Sequence, residues 1–259
     1  SPKKIILLDN NENGISNLHL DFNSISVIKS KFEIKLLNLC DLKNLEVFFK
    51  KTKIDFVFHA AAYKHISIME NNPQIASYNN IFSTINIIIM SKKYNVKKLI
   101  FISSDKAVYP INILGFCKRI GEKIIKHLHS DKLKMTSVRF GNVIASSGSL
   151  IPKIQEQIKY KKIIFLTDKD ATRYFMTIRD AVNLIISSSQ MKMTGDVLVL
   201  DMGTPIKIYD IAKAVLKSKN LIERKNNLGD IKIKYTGLQK GEKLHEKLYY
   251  KKFLIHSDN

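Results

Sequence analysis

Cysteine is scarce in this chain: Cys40 and Cys117 are all that 259 residues contain. Two thiols cannot build the disulfide framework of a small secreted domain, and they suit a reducing cytoplasm. No secretory leader is expected either. No stretch approaches the roughly eighteen consecutive apolar residues that a membrane span needs; INIIIM (85–90) reads as a short buried piece of helix. Gly/Ser linkers and low-complexity tracts are absent, so the chain is expected to be globular. No cysteine/histidine cluster has ligand spacing, and no metal site is expected. Acidic residues are outnumbered, 23 Asp and Glu against 43 Lys and Arg, for a formal net charge of +20. Such an excess can hold nucleic-acid backbones through counterion release. Here the lysines are spread through every segment, KFEIKLLN and IKIKY included, and form no block. No dedicated nucleic-acid partner is expected; weak attraction to anionic lipid headgroups, at the inner face of a membrane, fits the charge better.

What is present alternates. Strand-like runs fall near 4–9, 33–37, 55–60, 97–103 and 134–140, with helical patterns near 42–51, 73–95 and 112–130 between the later ones. That order predicts an α/β fold with a doubly wound parallel sheet. After Gly141 the pattern changes to short strands (163–166, 173–177, 197–200, 232–235) interleaved with helices at 149–160, 179–190, 208–218 and 241–250. The division predicts a first domain over 1–141 and a smaller lobe over 142–259, interleaved with it.

The densest chemistry lies in IFISSDKAVYPINILGFCK (100–118). Leu99 to Ile102 read as a buried parallel strand, and Ser104, Asp105 and Lys106 follow at its carboxyl end, where open α/β sheets place ligands. A carboxyl and an amine side by side can divide an elimination, one protonating a leaving hydroxyl while the other takes a proton from carbon. A solvated Asp-Lys turn would carry the same tripeptide, so the surroundings decide.

Those surroundings are HAAAYKH (59–65), SSDKAVYPINILGFCKR (103–119), VRFGNVIASSGSLIP (138–152), TRYFMTI (172–178), VLDMG (199–203) and TGLQKGEKLHE (236–246). Together, in this order, they resemble the nucleotide-sugar 4,6-dehydratases of bacterial polysaccharide biosynthesis. These belong to the extended short-chain dehydrogenase/reductase superfamily, and the resemblance is closest to the branch acting on UDP-N-acetylglucosamine. It runs from about Pro2 to about Tyr249.

The resemblance implies a Rossmann-like cofactor domain, which normally opens with a strand and a glycine-rich turn that receives the pyrophosphate. SPKKIILLDN matches the second strand of that domain, so the expectation is an N-terminally incomplete sheet lacking its first, central strand. IILLD (5–9) and FVFHA (56–60) would then pair directly, flank a gap filled by another segment, or expose unpaired edges. Some relatives carry membrane helices upstream.

For the cofactor, the resemblance implies NAD or NADP. Asp9 would meet the adenosine ribose, and the Asn10, Asn11 and Glu12 that follow it favour NAD. Asn38 lies where relatives often carry an adenine-contacting Asp. Ala60, Ala61 and Ala62 would let backbone approach the dinucleotide, although tight strand-helix packing explains them equally. In the implied reaction a hydride leaves sugar C4, water is lost across C5 and C6, and the hydride returns to C6. Asp105 would protonate the 6-hydroxyl, Lys106 would take the C5 proton, Ser104 would bond the 4-oxygen and Lys118 would hold the nicotinamide ribose. Lys64, Asn142, Arg173 and Glu242 would bind the UDP-sugar, Arg173 by its bidentate fork on phosphate, with His65 ranked behind Lys64.

One position departs from the wider superfamily. The tyrosine expected four residues before Lys118 is Leu114, where the close branch usually has Met. Which group deprotonates the 4-hydroxyl stays open, with Tyr109 and Tyr63 candidates by residue type only. A superfamily epimerase or reductase, which would want the phenol, and a non-catalytic remnant are the other readings. A homo-oligomer is the expected assembly.

Overall fold

The computed structural model describes residues 2–24, 32–144, 149–226 and 228–250. The chain opens with β1 (Ile5–Asp9), α1 (Glu12–Ser24) and β2 (Phe32–Leu36); β1 and β2 form a parallel pair in the register Ile5 to Phe32 through Asp9 to Leu36. Helix α1 is not predicted by the sequence pattern. α2 (Leu42–Lys51) follows, capped by Asp41, whose side chain accepts from the Asn44 N–H, and it buries Leu45 and Phe49 one turn apart. β3 (Phe56–His59) begins the main sheet.

The helix predicted over 73–95 is broken. α3 (Ile66–Asn71) and α4 (Pro73–Ser77) lead into one π-helical turn, Tyr78–Phe82, before α5 (Ser83–Lys93). The extra residue in that turn buries Asn80 and aims its side chain at the backbone of Tyr63, accepting from its N–H at 2.7 Å and donating to its C=O at 3.0 Å. A local propensity argument cannot see a bond to a residue on another segment.

β4 (Lys98–Ile102) is buried from Lys98 to Phe101 and is paired in parallel with β3 on one side and β5 (Lys134–Arg139) on the other. Between them runs α6 (Ile113–Leu128), which buries Leu114, Cys117, Lys118, Gly121, Glu122 and Ile125 along one stripe. The remaining elements are β6 (Asn142–Val143), α7 (Leu150–Lys161), β7 (Ile163–Leu166), β8 (Thr172–Arg173), β9 (Phe175–Met176), α8 (Ile178–Gln190), β10 (Val197–Val199), β11 (Ile206–Lys207), α9 (Ile208–Ser218) and β12 (Lys232–Tyr235). β10 returns to pair with β5, giving a parallel sheet in the order β10-β5-β4-β3. This is the α/β parallel architecture expected from the alternating pattern. The β1–β2 pair stands as a separate two-stranded sheet, so β3 is a sheet edge among the described residues, with Phe56 and Phe58 about half exposed.

Two cores form. One gathers Leu45, Phe49, Ile87, Leu99, Phe101, Ile125 and Met135 under the main sheet; the other gathers Ile154, Ile164, Ala212, Leu216 and Ile231 around the parallel β7–β12 pair. The predicted strand 173–177 is two short strands, β8 and β9, pairing with β11 and β6.

The helix predicted over 241–250 does not form. Its carbonyls are taken from the side: Asn112 donates to Gly241, the Thr172 N–H and Arg173 to Leu244, and Arg139 to Leu248. A segment whose backbone is satisfied by side chains and a neighbouring strand has no use for helical bonds.

Candidate active site

β4 ends in a turn that gathers charge. Ser103 is buried, with its N–H on the Val138 carbonyl and its hydroxyl on Glu122 at 2.7 Å. Ser104 then caps a single 3₁₀ turn, Asp105–Ala107, accepting from the Lys106 N–H. Asp105 is fully buried; its Oδ1 accepts from the Ser104 hydroxyl at 2.9 Å and from Lys106 Nζ at 3.0 Å, while Oδ2 has no hydrogen-bond partner among the described residues. Lys106 Nζ also lies 3.9 Å from Glu246, another buried carboxylate.

α6 starts hard against this turn. Asn112 caps the helix through the Gly115 N–H at 2.7 Å, and a Cβ on Gly115 would sit 2.3 Å from the Lys106 carbonyl oxygen, so only glycine lets the helix approach so closely. One turn on, Lys118 is buried; Nζ donates to the Ile102 carbonyl at 2.7 Å and stands 4.9 Å over the Phe101 ring. Burial lowers its pKa to about 8, partly offset by the charges of Cys117 and Glu122. Nearby His59 is buried against Thr84 Oγ1 at 2.9 Å; burial, and then the charge of Lys118, hold its pKa down to about 3, so its ring is neutral at pH 7.

A cleft of about 300 Å³ opens over the turn, lined by Lys64, His65, Ser104, Lys106, Leu114 and Asn142 together with Ile144, Ser149, Ile151 and Phe175. Its walls are apolar toward α7 and cationic toward Lys64 and Lys106. Among the described residues no cluster of three or more His, Cys, Asp or Glu could hold a metal ion, and no helix is long and apolar enough to cross a membrane.

Comparison with known proteins decides the family. The family model described as "Polysaccharide biosynthesis protein" matches residues 1–258. The chain belongs to this polysaccharide biosynthesis family. Among its relatives is the capsular polysaccharide biosynthesis protein CapD of Staphylococcus aureus, 38% identical over 252 residues that cover 96% of this chain and 41% of CapD. The chain thus spans about two-fifths of that relative's length. A UDP-glucose 4-epimerase of Rickettsia canadensis is 34% identical over 201 residues, 75% of this chain and 56% of the epimerase. Among solved structures, Pen from Bacillus thuringiensis superposes with a TM-score of 0.86 at 31% identity, covering 96% of this chain and 76% of Pen. DesIV, a dTDP-glucose 4,6-dehydratase from Streptomyces venezuelae solved with NAD, covers 96% of this chain and 80% of its own at a TM-score of 0.81 and 14% identity, a likeness of fold.

In this family member the structure brings Lys64, His65, Ser104, Lys106, Leu114 and Asn142 to one cleft, with Asp105 and Lys118 behind it. Asp9 and Asn38 lie elsewhere, at the carboxyl ends of β1 and β2; the Leu37 N–H bonds the Asp9 carbonyl at 2.8 Å, while the Asp9 side chain accepts from the Asn11 N–H and that of Asn38 from the Cys40 N–H. Ala60, Ala61 and Ala62 follow β3 in the loop held by Asn80. Arg173 and Glu242 do not line the cleft; they pair with each other at 2.9 Å, and Arg173 spends a second amino group on the Thr172 and Leu244 carbonyls. Tyr109 packs edge-on against Tyr250, and neither it nor Tyr63 reaches the lining.

Sequence reasoning missed the support beneath the site. Glu122 is buried and takes two bonds from Arg139 and one each from Ser103 and Arg119, locking α6 to β4 and β5. Glu246 was visible as the last residue of TGLQKGEKLHE, but nothing local distinguishes it from Glu242.

Proposed function

We propose that the protein is a nucleotide-sugar 4,6-dehydratase that converts UDP-N-acetylglucosamine to its 4-keto-6-deoxy form for polysaccharide biosynthesis, with a nicotinamide cofactor, NAD rather than NADP. The observation that carries this reading is the Ser104–Asp105–Lys106 turn at the cleft, a carboxyl and an amine 3.0 Å apart beside Leu114. Leucine cannot exchange a proton, which disfavours the phenol-dependent epimerase chemistry, whereas an acid and a base on one turn serve an elimination.

The residues present fit a dinucleotide. Asp9 stands exposed at the end of a parallel strand, as a ribose hydroxyl needs, and the small Ala60 and Ala61 are exposed past β3. Lys118 holds its ammonium beneath the strand end. When bound, the nicotinamide would take a hydride from sugar C4 and return it to C6. Ser104 then donates its hydroxyl to the 4-oxygen, Lys106 takes the C5 proton that the ketone acidifies, and Asp105 gives a proton to the departing 6-hydroxyl. Asp105 is closed off beneath Ser104 and Lys106 in the free site, and its contacts rearrange toward the substrate on binding. Lys64 and Asn142 hold the sugar nucleotide; the Arg173–Glu242 pair opens to a diphosphate and a ribose, or else stays a brace for 241–250.

Assembly as a homo-oligomer is supported by apolar side chains left exposed along the α4 to α6 surface, Ile75, Tyr78, Phe82, Phe116 and Ile120. The lysine excess favours a cytoplasmic position close to anionic headgroups.

Incubation with UDP-N-acetylglucosamine and NAD in D₂O, followed by proton NMR, tests the reaction. A new C6 methyl signal with deuterium at C5 is expected. A C4 epimer with its C6 hydroxymethyl intact would establish the epimerase reading instead, and an unchanged sugar in a folded sample would refute both.

A further inference from the structure

The buried carboxylate of Glu246 has no part in the reaction scheme above. Its side chain is 2% exposed, and it belongs to a segment without helix or strand whose Gly241, Leu244 and Leu248 carbonyls accept from the side chains of Asn112, Arg173 and Arg139. Two lysines face it: Lys106 Nζ at 3.9 Å from Oε1 and Lys243 Nζ at 3.3 Å from Oε2. Lys243 is itself anchored, donating to the Val108 carbonyl at 2.7 Å, one residue beyond the catalytic turn. Neither contact completes a hydrogen bond to Oε2, which remains without one. Burying a carboxylate so incompletely paired is unfavourable, and such groups persist where the neighbouring chemistry uses the charge.

Resting on the dehydratase reading, we propose that Glu246 is a positioning residue for Lys106, the fixed counter-charge that holds its Nζ over the cleft while the charge on Asp105 changes. The proton balance gives the reason. At the start of the elimination Asp105 carries the proton and Lys106 is the free amine. The C5–H bond breaks and its proton forms a new N–H bond on Lys106. The electron pair left on C5 forms the C5–C6 double bond, the C6–O bond breaks with its pair going to oxygen, and that oxygen takes the Asp105 proton and leaves as water. Lys106 ends as an ammonium and Asp105 as a carboxylate. Asp105 changes charge across the step, whereas Glu246, whose Oε1 lies 3.9 Å from Nζ, takes no part in either proton transfer. Its carboxylate therefore faces Nζ as the ammonium forms and stabilises that charge.

The test compares wild type, Glu246→Gln and Glu246→Asp in two readouts. In D₂O with UDP-N-acetylglucosamine and NAD, Glu246→Gln is expected to slow deuterium entry at C5 and methyl formation on the order of 10²-fold, with KM and the nicotinamide absorbance change of C4 oxidation retained; Glu246→Asp recovers part of the rate. An equal loss of C4 oxidation and C5 exchange would mark a merely structural residue and overturn the proposal. The second readout needs no turnover: with lysines labelled by reductive ¹³C-methylation, the Lys106 resonance is expected to shift in both variants. A Lys106 resonance that stays in place overturns the proposal. Wild type that forms no methyl defeats the dehydratase reading, and the proposed role in elimination with it.

Discussion

Lys118 is the residue whose surroundings make the most testable statement about pH. Its ammonium is buried at the end of β4, bonded to the Ile102 carbonyl and set over Phe101, and burial brings its pKa down to about 8 from an ordinary 10.5. Between those two values the unfolded chain binds a proton that the folded chain does not. Stability from this group therefore rises with pH across that window and is lost as pH falls toward 8. The proposed catalysis runs the other way, since the role proposed for Lys118 in holding the nicotinamide ribose uses the charged form. We expect kcat/KM to decline above about pH 8, and the decline to move to higher pH in Lys118→Arg, which stays protonated; a pH–rate profile with no alkaline limb in that range would assign the ammonium a purely structural part. At the same scale, Arg173 and Glu242 show why residue type alone underdetermines role: a guanidinium suited to phosphate is equally suited to a carboxylate 69 residues away.

Among the elements, the π turn at Tyr78–Phe82 and the segment 241–250 depart furthest from local pattern. Most of the others, from β1 through β12, lie where the alternation of strand and helix signals puts them, because their core-facing stripes are written in 2- and 3.6-residue periods. α1 is an exception, its weak amphipathicity giving little to read. The π turn exists to bring Asn80 to Tyr63, and so to fix the loop that carries Lys64 into the cleft. Replacing Asn80 by alanine removes both bonds and leaves the Tyr63 backbone groups unpaired. The expected cost is about 1–3 kcal/mol, read as a lower urea midpoint, together with a raised KM for the sugar nucleotide; an unchanged KM would mean that the loop is held by other contacts.

For the whole molecule, the arrangement of sheets predicts unequal stability. β4 has a parallel partner on each side and is almost wholly buried, while β1 and β2 pair only with each other and are partly exposed. Native-state hydrogen exchange is expected to protect the amides of β4 and β5 most strongly and to release those of β1 and β2 through a smaller opening. Equal protection would show that the two sheets unfold as one unit. By itself the sequence determined the fold class, the order of the elements, and the grouping of Ser104, Asp105 and Lys106 at a strand end with Lys118 in the helix after it, because each follows from short-range periodicity or from neighbours along the chain. Only the tertiary structure decided that β1 and β2 stand apart from the main sheet, that Arg173 pairs with Glu242, that 241–250 forms neither helix nor strand, and that Glu246 faces Lys106. Those outcomes depend on partners such as Arg139 and Leu248, 109 residues apart in the chain. No local pattern encodes a bond whose second half arrives only when distant segments pack.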